Sequence, residues 1–262
     1  MKRALSVFGL FLAVSLGTGM PALAQADGAA PPIAPAESGA AAGSFAGIQL
    51  STAVEVAVVL TVLSLVPAIL ITLTSFTRIV IVLSFVRRSL SVQELPPNPV
   101  LVGLALFLTT FVMGPVFERV YDTAYVPYRS GSMGIEEAGA KAWGEMRGFL
   151  LENTRRSEIG LFVELAQLEP PDGGGELPDD DLPFRVVVPA FVLSELKTAF
   201  QMGFLLFLPF LVIDLVVASV LISMGMFMLP PVMISTPFKI LLFVLVDGWH
   251  LVCQSLVTSF AV

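Results

Sequence analysis

The sequence predicts an all-α membrane protein, and three observations support this. Of the 262 residues, 56% are hydrophobic and only 13% are charged, against a charged share of about 25% in soluble domains. Apolar segments of roughly 20 residues recur, the length at which a helix crosses the hydrocarbon core of a bilayer. Between them, the polar middle of the chain places apolar residues at helical spacing.

The first 46 residues are not expected to belong to the folded core. Residues 1–24 begin with two basic residues, continue with an apolar run and end in Ala-Leu-Ala, which predicts a cleaved signal peptide. An uncleaved membrane helix is the alternative, but the run from Ala4 to Leu16 is shorter than the ~20 residues a span needs. Residues 25–46 are rich in Ala, Gly and Pro and are predicted to be a disordered leader.

Residues 47–117 are predicted to form a first helical hairpin. The apolar run Ile48–Val86 would extend about 58 Å as one helix, nearly twice the hydrocarbon thickness. The run must therefore break, and Pro67 is the predicted position because proline interrupts helical hydrogen bonding.

The turn of this hairpin is predicted to face the cytoplasm. Arg78, Arg87 and Arg88 are the densest basic cluster after the signal, and short basic loops remain cytoplasmic. The proline-rich stretch Glu94–Pro99 forms a stiff turn, and Val100–Val116 returns the chain outward.

Residues 118–185 are predicted to form a polar periplasmic segment. It holds 14 acidic and 7 basic residues, which accounts for the whole net charge of −7. Its acidity argues against nucleic acid as a partner. Glu136–Ala166 has the spacing of an amphipathic helix, and Asp179–Asp181 is expected to be solvated linker. The triple glycine between them lacks the following Lys-Ser or Lys-Thr of a phosphate loop.

Residues 186–262 are predicted to form a second helical hairpin, broken at Leu208-Pro209 and restarted at Ser235-Thr236-Pro237. Glu195 and Lys197 lie in its apolar first half. Their spacing of two residues separates them by about 200° around a helix, so each needs a partner from elsewhere. Charges in apolar surroundings pair across helices or mark an ion pathway, and we predict that Glu195 and Lys197 make polar contacts between helices or subunits. The same kind of contact is predicted for Asp214, Lys239 and Asp247.

Three methionines cluster where the two halves of this hairpin meet, in Met224-Gly225-Met226-Phe227-Met228-Leu229. Methionine is flexible and polarizable, so such side chains can seal around irregular objects. The plainer alternative is that they fill a helix end in a core. If the stretch forms a seal, Met224, Met226, Phe227 and Met228 are the side chains that would line it.

No catalytic, cofactor or metal site is predicted. Asp247, His250 and Cys253 recur every three residues, but on one straight helix they would span about 9 Å, too far to close on one ion. A single histidine and a single cysteine without an evident base partner give no nucleophilic constellation. A non-enzymatic role is the expectation.

Several strings in this order resemble the FliP/SctR family of type III protein export-gate subunits, flagellar in the first case and injectisome in the second. They span most of the chain after the leader, and the signal and leader favour the flagellar branch. These strings are Leu73–Ile79, Pro96-Pro97-Asn98, Ser194–Phe200, Met224–Pro231, Pro237-Phe238-Lys239 and Val246–Trp249.

The resemblance implies kinked helical hairpins packed in a helical oligomer in the bacterial inner membrane and flagellar basal body. Several FliP copies would join FliQ and FliR around an export channel, served by FlhA and FlhB and assembled with FliO, and would pass unfolded substrates. The family's gasket methionines match Met226, Phe227 and Met228, with Phe227 departing from the usual Met. An ion-coupled secondary transporter using Glu195, Asp214 and Asp247 is the alternative, although no inverted repeat is visible.

Overall fold

The computed structural model describes residues 71–92, 95–168 and 178–260, together with scattered positions between 54 and 69. The predicted signal peptide, the leader and the predicted break at Pro67 lie outside the described residues. The described positions fall into two units, one ending at Leu70 and one beginning at Ile71. In the first unit they are helical, and the Thr61 hydroxyl donates to the Ala57 carbonyl.

The described chain from Ile71 onward is helical and contains no strand, which confirms the predicted all-α class. A π-helical turn at Tyr121–Tyr125 and a 3-10 turn at Asp179–Asp181 interrupt or connect the α-helices. The α-helices are α1 (Phe76–Ser89), α2 (Asn98–Val120), α3 (Val126–Arg129), α4 (Ile135–Glu152), α5 (Arg156–Leu165), α6 (Phe184–Ser223), α7 (Pro231–Leu245) and α8 (Gly248–Thr258).

The core forms where α1 packs lengthwise on α6. Ile79, Val82, Leu83 and Val86 of α1 are all buried, and their spacing of three and four residues places them on one helix face. On the facing helix Gly203 leaves room for the Phe85 ring, since a Cβ there would lie 2.4 Å from Phe85 Cδ2. This contact fixes how closely the two helices approach.

Helix α6 is a continuous helix of 40 residues, about 60 Å long. The predicted break at Leu208-Pro209 is therefore wrong. Proline removes one backbone hydrogen bond, but packing holds the helix together on both sides of it. Phe210 packs against Phe243 of α7, with ring centroids 6.3 Å apart, and Gly203 lies against α1.

Helix α7 begins at Pro231, with Pro230 as its N-cap, and contains Pro237 in its interior. The predicted start at Ser235-Thr236-Pro237 is wrong because Pro231 occupies the first helical position, where a missing N–H costs nothing. The Ser235 hydroxyl is not a cap; it donates to the Asp214 carboxylate of α6.

The polar segment contains two main helices, α4 and α5, within the stretch Glu136–Ala166 that was predicted to be amphipathic helix. Helix α4 ends because two side chains bond back to its last turns: the Asn153 amide donates to the Phe149 carbonyl at 2.9 Å, and the Thr154 hydroxyl to the Leu150 carbonyl at 2.6 Å. The segment Asp179–Asp181 is not simply solvated linker, because Asp179 forms an ion pair with an arginine of α5.

Two stretches among the described residues are long and apolar enough to cross a membrane, Asn98–Arg129 and Phe184–Ser223. The pair α7 and α8 reaches the same length together but is bent by 64°. Asp247 lies at this bend with φ of 51°. The assumption that Asp247, His250 and Cys253 share one straight helix is therefore wrong, since α8 begins only at Gly248.

Candidate functional site

The methionine loop, Met224–Leu229, joins α6 to α7. Helix α6 ends in a Schellman motif: the Met226 N–H donates to the Leu221 carbonyl at 3.0 Å and the Gly225 N–H to the Ile222 carbonyl at 2.9 Å. This motif needs a left-handed residue just after the helix, and Gly225 supplies it with φ of +76°. Gly225 therefore makes the chain reverse direction at the second residue of the methionine loop.

The large side chains of the loop point away from the described protein. Met224 is 68% exposed, Phe227 75% and Met228 96%, while Met226 is 39% exposed. Exposed apolar surface costs roughly 25 cal/mol per Å² compared with burial. A contiguous apolar tip of this kind marks a surface that protein or lipid covers.

A first charged cluster ties α1, α6 and the end of α8 together around Arg78. Arg78 is 3% exposed and Glu195 is fully buried. The Arg78 Nε donates to Glu195 Oε2 at 2.9 Å, and Nη2 donates to Oε1. The third guanidinium nitrogen, Nη1, donates to the Ser259 carbonyl at 2.8 Å, and the guanidinium lies 3.8 Å from the centre of the Phe260 ring. Each guanidinium nitrogen thus has an acceptor.

A second cluster lies inside the hairpin of α6 and α7. The Lys239 ammonium, 1% exposed, donates to Asp214 Oδ2 at 2.6 Å and to the Ser91 hydroxyl at 2.8 Å. The Ser235 hydroxyl donates to the other oxygen of Asp214. Asp214 lies ten residues before Met224, about 15 Å along the helix, so this cluster holds the two arms of the hairpin together beneath the methionine loop.

A third cluster docks α5 of the polar segment onto α6. Lys197 Nζ donates to Glu158 Oε1 at 2.9 Å, and this hydrogen bond holds the pKa of Glu158 below its ordinary value, against the opposing effect of burial. The Arg155 backbone N–H donates to the Ser194 hydroxyl at 3.1 Å. Farther along, Arg156 pairs with Asp179, which lowers the pKa of Asp179.

The structure places the sequence-predicted residues in separate locations. Glu195 and Lys197 have different partners on different helices, and Asp214 and Lys239 are partners of each other. Asp247 is exposed at the bend between α7 and α8, apart from all three clusters. Glu195 and Asp214 are 19 residues apart on one helix, about 28 Å, so they do not converge on one site.

Several partners in these clusters were not among the predicted site residues: Arg78, Glu158, Ser91, Ser235 and Ser259. Arg78 carried a usable signal, because it is a charge inside an apolar run and such charges pair. The prediction that counts it with Arg87 and Arg88 in a basic turn is wrong, since Arg78 is buried against Glu195. The serines carried none, since a hydroxyl has no preference for one partner over another. Within the described ranges, no group of three His, Cys, Asp or Glu residues is placed to hold a metal ion.

Long apolar helices with internally paired charges define an all-α membrane protein. The comparisons with known proteins specify the class further. The model of the FliP family matches residues 59–256, about three quarters of the chain. The chain belongs to the FliP family.

Named relatives agree with this assignment. The chain is 54% identical to the flagellar biosynthetic protein FliP of Bacillus subtilis strain 168 over 212 residues, 81% of this chain and 94% of the relative. It is 53% identical to the protein of the same name from Caulobacter vibrioides, over 83% of this chain and 80% of the relative. A third relative of that name, from Pectobacterium carotovorum subsp. carotovorum, is 51% identical over 82% of this chain and 81% of its own length.

Proposed function

We propose that this chain is a core, non-enzymatic, channel-forming subunit of the bacterial flagellar type III protein export gate. Several copies surround a pore through which unfolded substrates pass, and the gasket residues Met224, Met226, Phe227 and Met228 close it. Family membership and relatives named for flagellar biosynthesis support the assignment to the flagellar system.

The observation that carries the pore proposal is the exposure of the methionine loop. Met228 is almost fully exposed and Phe227 three-quarters exposed, although both side chains are apolar. Copies arranged around one axis would bring these side chains together and remove them from water. Flexible thioethers can then exclude ions when the pore is empty and adapt to any passing sequence.

Contacts within the hairpin of α6 and α7 hold the backbone of the methionine loop in a fixed position. The buried ion pair between Lys239 and Asp214 joins α6 to α7, and the Schellman motif at Gly225 fixes where the chain reverses. Flexible side chains on a fixed backbone suit a seal, because only the side chains have to move when a substrate enters.

The outer surfaces of the long helices support assembly with other chains. On α6, Phe204, Leu205, Val212 and Leu215 are each more than half exposed, which is a large apolar surface left for protein or lipid. Further copies of this chain, FliQ and FliR are the proposed neighbours, with FlhA, FlhB and FliO as associated components. The complex lies in the inner membrane and the flagellar basal body, with α4 and α5 on the periplasmic side.

The test is a triple replacement of Met226, Phe227 and Met228 by Ala. Cells or vesicles containing the assembled gate should become leaky to ions and small molecules, while the size of the complex stays unchanged. A normal-size complex in a membrane that remains tight would contradict the gasket.

The alternative function, an ion-coupled secondary transporter, makes a different prediction. A transporter would lose substrate uptake when Asp214 or Asp247 is replaced by Asn, with no leak from the loop variant. The separation of Glu195 from Asp214 along α6 does not favour it, because coupling carboxylates must converge near the binding site.

A further inference from the structure

Both arms of the hairpin that carries the methionine loop are interrupted partway along their length. In the outgoing arm, Pro209 lies inside α6 and has no N–H to donate to the Leu205 carbonyl. In the returning arm, α7 ends at Leu245 and α8 begins at Gly248, with a bend of 64° between them. Asp247 lies at this bend in the left-handed conformation, which is unfavourable for a residue other than glycine. Helical hydrogen bonding is thus incomplete in both arms.

The side chain of Phe243 places these two interruptions at the same level of the hairpin. Its ring is 6% exposed and packs on Phe210, the residue after the proline, with ring centroids 6.3 Å apart. It also packs edge-on against Trp249, just after the bend, at 5.4 Å. A Cβ at Gly248 would lie 2.2 Å from Phe243 Cε2, so glycine permits this close approach. One buried ring therefore lies between the two interruptions.

The hairpin is braced on both sides of this level. On the side of the methionine loop, Lys239 of α7 and Asp214 of α6 form an ion pair. On the opposite side, Arg78 binds Glu195 of α6 and the Ser259 carbonyl that follows α8. A pair of charges thus joins the arms at each end, and the level with incomplete hydrogen bonding lies between them.

We propose that this level is a hinge, about which the stem, residues 210–246, tilts as one body and carries the methionine loop with it. The role of the tilt rests on the proposed function, because it assumes that the loops of several copies surround a pore. From Phe210 to Met224, α6 extends about 21 Å. A tilt of about 10° therefore moves each loop by about 3.6 Å and widens the gap between opposite loops by about 7 Å.

The tilt accommodates a different kind of substrate segment from the side chains. Movement of flexible side chains makes room for an extended chain. A segment that stays helical is about 10–12 Å across with its side chains, so it needs the backbones of the loops to separate. The hinge supplies that separation without disturbing the turn at Gly225 or the ion pair inside the stem.

One hydrogen bond restrains the stem. Among the described residues outside the two arms, Ser91 is the one whose side chain is hydrogen-bonded to the stem, through a bond of 2.8 Å from Lys239 Nζ to its hydroxyl. Ser91 follows α1, which packs on the part of α6 before the hinge. A tilt separates these two atoms, so their hydrogen bond favours the untilted hairpin.

The experiment measures the tilt in the full chain purified in detergent, where no pore is required. In a Cys253→Ser background, nitroxide labels at Met233→Cys of α7 and Glu164→Cys of α5 report the distance between the stem and the rest of the chain by electron paramagnetic resonance. A control pair combines Glu164→Cys with Phe204→Cys of α6, which lies before the hinge. All three positions are exposed in the single chain that is labelled.

Two variants should change the stem distance in opposite directions. Pro209→Ala gives α6 the missing N–H and should narrow the distance distribution at least about twofold, with a Tm no lower than that of wild type. Ser91→Ala removes the restraint and should broaden the distribution. The control pair should not change in either variant. An unchanged width in Pro209→Ala, equal narrowing of the control pair, or a lower Tm would overturn the hinge.

A second measurement tests the role of the tilt in the assembled gate. Pro209→Ala should reduce export of a substrate that contains a stable helix at least about tenfold, and leave export of an extended substrate unchanged. Equal export of the two substrates would overturn this role. The triple Ala variant of Met226, Phe227 and Met228 separates the two proposals: if it leaks while the stem is rigid, the gasket stands and the hinge fails, and if the stem tilts without any leak, the gasket fails and the hinge stands.

Discussion

Removing the Glu195 carboxylate should destabilise the chain more than removing any surface charge. Glu195 is fully buried and Arg78 is 3% exposed. In Glu195→Ala two guanidinium nitrogens, Nε and Nη2, lose their acceptors, and an uncompensated positive charge remains buried. Breaking such a pair costs about 3–5 kcal/mol, a large part of the roughly 5–15 kcal/mol that stabilises a typical protein.

The assay is thermal unfolding of the detergent-solubilised chain. For a chain of this size, each kcal/mol shifts Tm by about 2–4 °C, so Glu195→Ala should lower Tm by about 6–20 °C. Glu195→Gln keeps the shape of the side chain but removes its charge, so its Tm should lie between that of wild type and that of Glu195→Ala. Glu164→Ala serves as the control, because Glu164 is an exposed residue of α5, and its Tm should stay within about 1–2 °C of wild type.

A charge swap tests whether Arg78 and Glu195 are partners of each other. Glu195→Arg alone should lower the recovery of the assembled complex in detergent, because two arginines would then face each other in the core. Adding Arg78→Glu should restore part of that recovery. A Glu195→Ala protein with Tm within about 3 °C of wild type, or a normal complex from Glu195→Arg alone, would refute the reasoning.

Two further predictions concern helix packing and pH. Gly203→Ala should destabilise the chain by about 1–3 kcal/mol because the new methyl group meets the Phe85 ring. The control is Gly114→Ala, which has open space around its Cβ and should be neutral or stabilising in the same Tm assay. Equal effects of the two substitutions would contradict the close contact between α1 and α6. The second prediction compares wild type with Glu158→Gln across pH. Because Lys197 lowers the pKa of Glu158 in the folded chain, its contribution is present above the ordinary carboxyl pKa and disappears as the pH falls through the lower folded value. The Tm difference between the two proteins should be constant from about pH 5 to 8 and shrink below about pH 4; a difference that grows in acid would contradict the pairing.

The sequence predicted the helical class and the position of the methionine loop because both depend on local chemistry. Apolar run length selects helices in a membrane protein, and Gly225 followed by Pro230 and Pro231 indicates that one helix ends and the chain turns at the methionine cluster. The start of the next helix was predicted four residues too late, at Ser235 instead of Pro231. The break at Pro209 failed for the opposite reason. A proline rule describes the local backbone, but contacts of Phe210 and Gly203 with neighbouring helices decide whether the helix continues.

The identities of charge partners could not be predicted from the sequence. Helical geometry shows that Glu195 and Lys197 point in different directions, which means separate partners, but it does not say which. The partner of Glu195 lies 117 residues away in the chain, and that of Lys197 lies 39 residues away in a helix whose start was not foreseen. Only the packing of α1 and α5 on α6 brings these groups together.

The central claim is that the methionine loops of neighbouring copies meet at a shared axis, and disulfide cross-linking tests it most directly. In a Cys253→Ser background, Met228→Cys places one thiol per copy at the loop tip, and Glu164→Cys places one at an exposed polar position of α5 as a control. Disulfides form only when the two Cα atoms come within about 7 Å. Oxidation of the assembled complex should give covalent dimers for Met228→Cys and none for Glu164→Cys. An intact complex that yields no dimers at position 228 would contradict the claim.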